Sequence, residues 1–167
     1  WEFEGNSPWT IAQDAYEGSY SAQSGTINHN QTSEMMVNLD VTSNDEISFY
    51  YKVSSEANYD YLRFYIDGSQ QEEWAGDVSW TQAAYPVSAG NHTFKWEYYK
   101  DGSVSNGSDC AWIDLIVFPP AVPPIPPQRS IDPMSFNVSV PLNESLTEML
   151  TISNNGGGSV DYSITLV

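Results

Sequence analysis

Along much of this chain, apolar and polar residues alternate with a period of two. The clearest stretch runs from residue 47 to residue 68. Ile47, Phe49, Tyr51 and Val53 fall on one face of an extended segment, with Ser48, Tyr50 and Lys52 on the other. Leu62, Phe64 and Ile66 repeat the alternation against Tyr61, Arg63 and Tyr65, and Asp67-Gly68 follows as a turn. Such a pattern in β-branched and aromatic residues, ended by Asp-Gly, predicts half-buried antiparallel strands. Residues 33–41, 80–87 and 93–98 read the same way. In the last of these Phe94, Trp96 and Tyr98 point inward and Lys95 and Glu97 outward; in the first, the phase leaves either Met35 or Met36 inward. Residues 111–118 are apolar on both faces except for Asp114, the mark of a strand covered on two sides. Short strands are expected around residues 9–11 and 20–23, and loops at 28–32 and 100–108. No segment carries a helical period of 3.6, so the fold class is all-β.

The character changes at residue 119. PPAVPPIPP holds six prolines in nine residues, which cannot join a sheet ladder and favour a stiff polyproline II spacer. The expected organisation is an antiparallel β-sandwich over 1–118, a Pro-rich linker over 119–130 and a third segment over 131–167. That third segment holds strand candidates at 134–140, 146–153 and 160–167. It is too short for a complete immunoglobulin-type sandwich, which takes roughly 100 residues.

Several stretches of the first part resemble one family together. They are Pro8-Trp9-Thr10-Ile11, Tyr16-Glu17-Gly18-Ser19-Tyr20-Ser21-Ala22, residues 47–67, Tyr85-Pro86-Val87-Ser88-Ala89-Gly90 and Ser108-Asp109-Cys110-Ala111-Trp112-Ile113-Asp114. The family is a jelly-roll module of secreted multidomain bacterial proteins, similar to meprin-type adhesion and cleaved-adhesin domains. The resemblance implies a jelly-roll sandwich, an extracellular or cell-surface location and a structural or adhesive role. It also implies a calcium ion held by a first-strand glutamate and the acid at Asp114. The chain departs from the family in lacking a Phe-Glu-x-Gly strand before Trp1. From residue 131 it resembles the opening of a bacterial immunoglobulin-like module. Asp132-Pro133-Met134-Ser135-Phe136-Asn137-Val138 and Leu150-Thr151-Ile152-Ser153-Asn154-Asn155-Gly156 carry that likeness, and the module stops before its later strands.

Charge narrows the partners. The net charge is −17 with only five Lys and Arg, so the chain would repel a nucleic-acid backbone and has no basic cluster to overcome that. Anionic membrane surfaces are disfavoured for the same reason, and no apolar run is long enough to insert into a bilayer. One cysteine, Cys110, excludes an internal disulfide and a cysteine-based zinc site.

The candidate chemistry is that of binding. His29 sits in a polar loop and His92 in a turn, neither in a metal-binding spacing. Cys110 reads as an inert core thiol, and no nucleophile or phosphate-loop motif occurs, so no enzyme is expected. Tyr50, Tyr61 and Tyr65, with Arg63 and Lys52 beside them, suggest an aromatic platform for sugar rings. Asp101, Asp109 and Asp114 are candidate ligands for a structural calcium ion; a backbone amide would satisfy Asp114 equally well. Asn30, Asn91, Asn106, Asn137 and Asn143 begin Asn-x-Ser/Thr sequons, the acceptors for glycosylation. The expected function is a non-catalytic extracellular structural or adhesive module. A missing first strand and a truncated tail would leave open sheet edges, through which copies or neighbouring modules complete one another into a filament. The alternative is a carbohydrate-binding accessory module of a secreted bacterial enzyme, with polysaccharide as partner.

Overall fold

A computed structural model describes residues 1–122, 129–132 and 151–154, with 142, 145, 147 and 149. The described residues contain no helix, and the chain is all-β. Trp1–Val122 forms one compact unit and Pro123–Val167 another.

The first unit is a sandwich of two antiparallel sheets, consistent with a jelly roll. One sheet has the order β1-β4-β9-β6-β7, from β1 (Glu2–Gly5), β4 (Thr32–Val41), β9 (Gly90–Tyr99), β6 (Tyr61–Ile66) and β7 (Ser69–Ala75). The other has the order β2-β3-β10-β5-β8, from β2 (Thr10–Ala12), β3 (Ser21–Gln23), β10 (Cys110–Val117), β5 (Asp45–Ser54) and β8 (Asp77–Val87). The chain crosses between sheets after β1, β3, β4, β5, β7, β8 and β9. Their inner faces therefore interleave side chains from distant parts of the sequence.

The alternating residues meet where their period places them. Phe49 of β5, Phe64 of β6 and Trp96 of β9 are fully buried, with ring centroids 4.8 to 5.3 Å apart. Ile47, Leu62, Phe94 and Val53 close around them. Truncating such an aromatic ring to alanine costs about 3–5 kcal/mol. Met35, not Met36, is the inward methionine, opposite Phe3 across the β1–β4 pair. Asp67 and Gly68 both take positive φ, 52° and 75°, as a two-residue hairpin turn requires.

Some expectations need correction. Glu2–Gly5 is itself a strand, paired with Ser33–Met36, and forms the edge of its sheet. β7 has a polar sequence, SQQEEWA, whose Trp74 stacks on Tyr51 at 4.0 Å. Its first five residues are exposed on both faces, so no alternation is required there, and the glutamates guard the sheet edge. β10 is buried through Ile113, but a bulge between Asp114 and Val117, with Leu115 at φ 45°, turns Leu115 and Val117 outward. The proline stretch begins inside the sandwich. Ala121 bridges Val41, the Pro120 carbonyl accepts the Thr42 amide at 2.8 Å and Val122 donates to the Asp40 carbonyl at 2.9 Å.

In the second unit, β11 (Arg129–Asp132) pairs antiparallel with β12 (Thr151–Asn154) over four residues each. The strands expected at 134–140 and 160–167 lie outside the described residues, as do Asn137 and Asn143. Only the end of 146–153 falls within β12.

Candidate functional site

The proposed tyrosine platform does not exist as one surface. Phe49 and Tyr51 of β5 face Leu62 and Phe64 of β6 across the core. The residues that alternate with them must point in opposite directions. Tyr50 and Lys52 lie on the outer face of the second sheet; Tyr61, Arg63 and Tyr65 lie on the outer face of the first.

On the first sheet the aromatic rings are already engaged. The Arg63 guanidinium lies 4.4 Å from the Tyr99 ring centroid and 5.3 Å from that of Tyr61, while the Lys95 ammonium lies 4.6 Å over Tyr65. Glu97, nearly buried, accepts Arg63 at 3.3 Å, the Tyr65 hydroxyl at 3.0 Å and Lys95 at 3.2 Å. Glu73 takes Arg63 at 3.1 Å and Glu34 takes Lys95 at 2.9 Å. Burial works against the charge of both cations, yet these carboxylates raise their pKa values. Donors and ring faces satisfy one another here, and the network stiffens the sheet.

The second sheet's outer face carries a different aromatic group. Tyr16, from the loop between β2 and β3, stacks on Tyr50 with centroids 3.6 Å apart and planes 12° from parallel. Trp80 of β8 meets Tyr16 edge-on at 6.4 Å. Asp114 holds the loop in place. Its Oδ2 accepts the amides of Tyr16 at 2.8 Å and Glu17 at 3.0 Å, and its Oδ1 accepts the Leu115 amide at 2.7 Å. Asp114 is thus a loop anchor. Lys52 pairs with Asp14 of the same loop at 2.5 Å and lies 4.8 Å over the Trp112 ring. Tyr16 stays substantially exposed, with Tyr50 stacked against its ring.

Beside this group is a cleft of about 190 Å³ lined by Lys52, Ser54, Asp77, Ser79 and Ser108, with Val53 and Val78. It exists because β8 bulges: Thr81 pairs with Tyr51 and Val78 with Val53, leaving Ser79 and Trp80 opposite Lys52 alone. Ser54 Oγ donates to Asp77 at 3.1 Å and accepts the Ser108 amide at 2.9 Å. An exposed aromatic group and a small hydroxyl-lined cleft therefore share one surface.

The three aspartates named as calcium ligands separate. Asp114 is bound as above. Asp109 accepts the Lys100 ammonium and, at 3.0 Å, the Tyr98 hydroxyl. Asp101 instead joins Glu56 and Asp60, their carboxylate oxygens lying within 4.8 Å of one another. Asp60 and Lys100 are wholly buried and paired at 3.1 Å, and Asp60 Oδ1 also accepts the Asp101 amide at 2.9 Å. Asp60 and Asp109 share the Lys100 ammonium. Glu56 Oε2 is shut off from solvent without a hydrogen-bond partner among the described residues. Burial, then Asp101 and Asp60, raise the Glu56 pKa.

His92 forms a second constellation with the composition of a hydrolytic triad. Its Nδ1 lies 2.7 Å from Asp67 Oδ2 and its Nε2 lies 3.4 Å from Ser88 Oγ. The Ser88 carbonyl is closer to Nε2, at 3.0 Å. A ring nitrogen donating to that carbonyl has no lone pair left to take a serine proton. The arrangement clasps the β8–β9 turn. His29 and the sequon residues Asn30, Asn91 and Asn106 are exposed. Cys110 is buried against Gln23, and desolvation pushes its thiol up to about 11.

No protein-family model matches the chain, and no curated protein sequence matches it. Solved structures do. The secreted serine protease VesC from Vibrio cholerae superposes with a TM-score of 0.59 at 17% identity, over 71% of this chain and 24% of that one. The CBM22-1 xylan-binding domain of Paenibacillus barcinonensis Xyn10C gives 0.44 at 17% identity, over 68% of this chain and 82% of that one. A family 35 carbohydrate-binding module from an environmental isolate gives 0.41 at 14%, over 71% and 91%. The chain thus spans about a quarter of VesC, and the likeness there is one of fold: an antiparallel β-sandwich.

Proposed function

We propose that this chain is a non-catalytic, extracellular carbohydrate-binding module, with its sugar site on the outer face of the second sheet. One observation carries the reading: the exposed Tyr16, backed by Tyr50 and flanked by Trp80, shares a sheet face with the cleft of Lys52, Ser54, Asp77, Ser79 and Ser108. A pyranose ring presents C–H groups to an aromatic face and hydroxyls at its rim. Tyr16 and Trp80 supply the face; the serine hydroxyls, the Asp77 carboxylate and the Lys52 ammonium supply partners for the rim. With a net charge of −17, neutral polysaccharides are favoured over polyuronates.

Affinity electrophoresis against soluble xylan, β-glucan and mannan tests this. Tyr16→Ala and Trp80→Ala each weaken binding about tenfold, the equivalent of about 1.4 kcal/mol, whereas Tyr61→Ala and Tyr65→Ala leave it unchanged. Loss of binding with the second pair alone would move the site to the other sheet, and no retardation by any glycan would remove the reading. Filament growth by strand completion between copies is not part of this reading.

A further inference from the structure

On one side of the sandwich the edge strands of the two sheets, β1 and β2, do not meet. An apolar groove opens between them in two lobes of about 530 and 390 Å³. Trp1, Ile11, Ala22 and Ile116 line both, with Phe118 closing one lobe and Phe3 the other. Ile11 is 80% exposed, Trp1 57% and Phe3 49%. Large apolar side chains left open around a continuous hollow mark an interaction surface rather than scattered surface residues.

The backbone around the groove fits an extended occupant. Among the described residues β1 pairs only with β4 and β2 only with β3, so each presents a free edge. An added strand can hydrogen-bond to such an edge while its alternate side chains enter the hollow.

Charge decides what kind of strand. Glu2 and Glu4 flank Phe3 on β1, and Asp114 is the charged residue lining the groove. The basic residues of the sandwich, Lys52, Arg63, Lys95 and Lys100, are each ion-paired elsewhere. The edge is thus apolar in its floor and acidic at its rim. A second copy of this chain would bring the same sign to it, −17 meeting −17.

We propose that the groove between β1 and β2 receives an extended segment of a partner protein, apolar at alternate positions and flanked by lysine or arginine, which adds to the free edge of β1. The proposal is independent of the sugar site, which lies on the outer face of the second sheet.

The test uses the full 167-residue chain and two synthetic peptides, each with a Val-Thr-Leu-Thr-Val centre. One carries lysine pairs at both ends, the other glutamate pairs. Fluorescence anisotropy at low salt should show the lysine peptide binding at least tenfold tighter, with affinity falling as salt rises. Ile11→Asp and Phe3→Asp, at side chains already exposed, should each abolish it while leaving the melting curve and glycan retardation in place. Equal affinity for both peptides, no binding of either, or binding that survives both substitutions would overturn the proposal. Concentration-dependent dimerisation in sedimentation, lost on Ile11→Asp, would overturn it in favour of a second copy.

Discussion

Replacing Lys100 by methionine keeps most of the aliphatic volume and removes the ammonium, leaving the Asp60 carboxylate buried with the Asp101 amide but no counter-ion. The side chains of Lys100 and Asp60 are 1% and 0% exposed, so solvent cannot take over the charge. Breaking a buried pair by deleting one partner costs about 3–5 kcal/mol, because the survivor is left uncompensated. Against a domain stability of about 5–15 kcal/mol, that is a large fraction. For a sandwich of this size it corresponds to a fall in melting temperature of about 10–20 °C. Scanning calorimetry at low salt and in molar sodium chloride would measure it. The loss should be the same in both, since salt does not screen a pair that water does not reach. Adding Asp60→Asn to Lys100→Met should restore more than half of it, because asparagine keeps an oxygen for the Asp101 amide and carries no charge. A loss below about 1 kcal/mol, or one erased by salt, would refute the reasoning by showing that water solvates Asp60. The pH dependence has a definite sign. Burial opposes the Lys100 charge, but Asp109 and Asp60 outweigh it and raise the pKa above 10.5. The pair's contribution is therefore complete below the unfolded lysine value and lost as pH climbs through the folded one.

Other outcomes follow from the same geometry. Asp114→Ala frees the Tyr16 and Glu17 amides, so glycan affinity falls in parallel with Tyr16→Ala; an unchanged affinity would show that the loop holds itself. Glu56 has a raised pKa, so its ionised form is disfavoured in the folded state and the cost appears as pH rises through the carboxylate range. Glu56→Gln therefore raises the melting temperature at pH 7 and leaves it unchanged near pH 3, as thermal denaturation at both values would show. Burial works to raise the Asp67 pKa, but the Thr93 amide and His92 bring it below 3.8. Its contribution, present above that value, disappears as pH falls through the folded one, and Asp67→Asn flattens that part of an acid titration followed by circular dichroism.

The strands with one buried face were legible in sequence, because a period of two is the direct trace of a sheet with a core side and a water side. The hairpin at Asp67-Gly68 was legible for a local reason, since positive φ at both residues is cheap for Asp and Gly. β7 was not legible: the first five residues of SQQEEWA are exposed on both faces, so no apolar repeat was required of them. The binding surface was half legible. Tyr50 announced itself as an outward aromatic in a clear strand. Tyr16 sits in a loop, where no periodicity marks orientation, and only the bulge of β8 brings Trp80 to it. Grouping Tyr50 with Tyr61 and Tyr65 failed because alternation tells which face of a strand a residue occupies and not which sheet the strand joins. The grouping of the calcium candidates broke for a similar reason. Asp101, Asp109 and Asp114 are near in sequence, but the turn into β10 and its bulge point the three carboxylates to separate partners.

The burial of Cys110 has a use in kinetics. As the one thiol of the chain, protonated at neutral pH because its pKa lies near 11, it reacts with a disulfide reagent only when β10 is uncovered at its Gln23 side. The modification rate is then a clock for how often the β2–β3 edge lifts from β10. Where reclosing is fast, its ratio to the rate of a free thiol gives the open fraction directly. A segment seated in the groove, against Ile11 and Ala22 of that edge, would slow the clock in proportion to its occupancy, without any label on the partner.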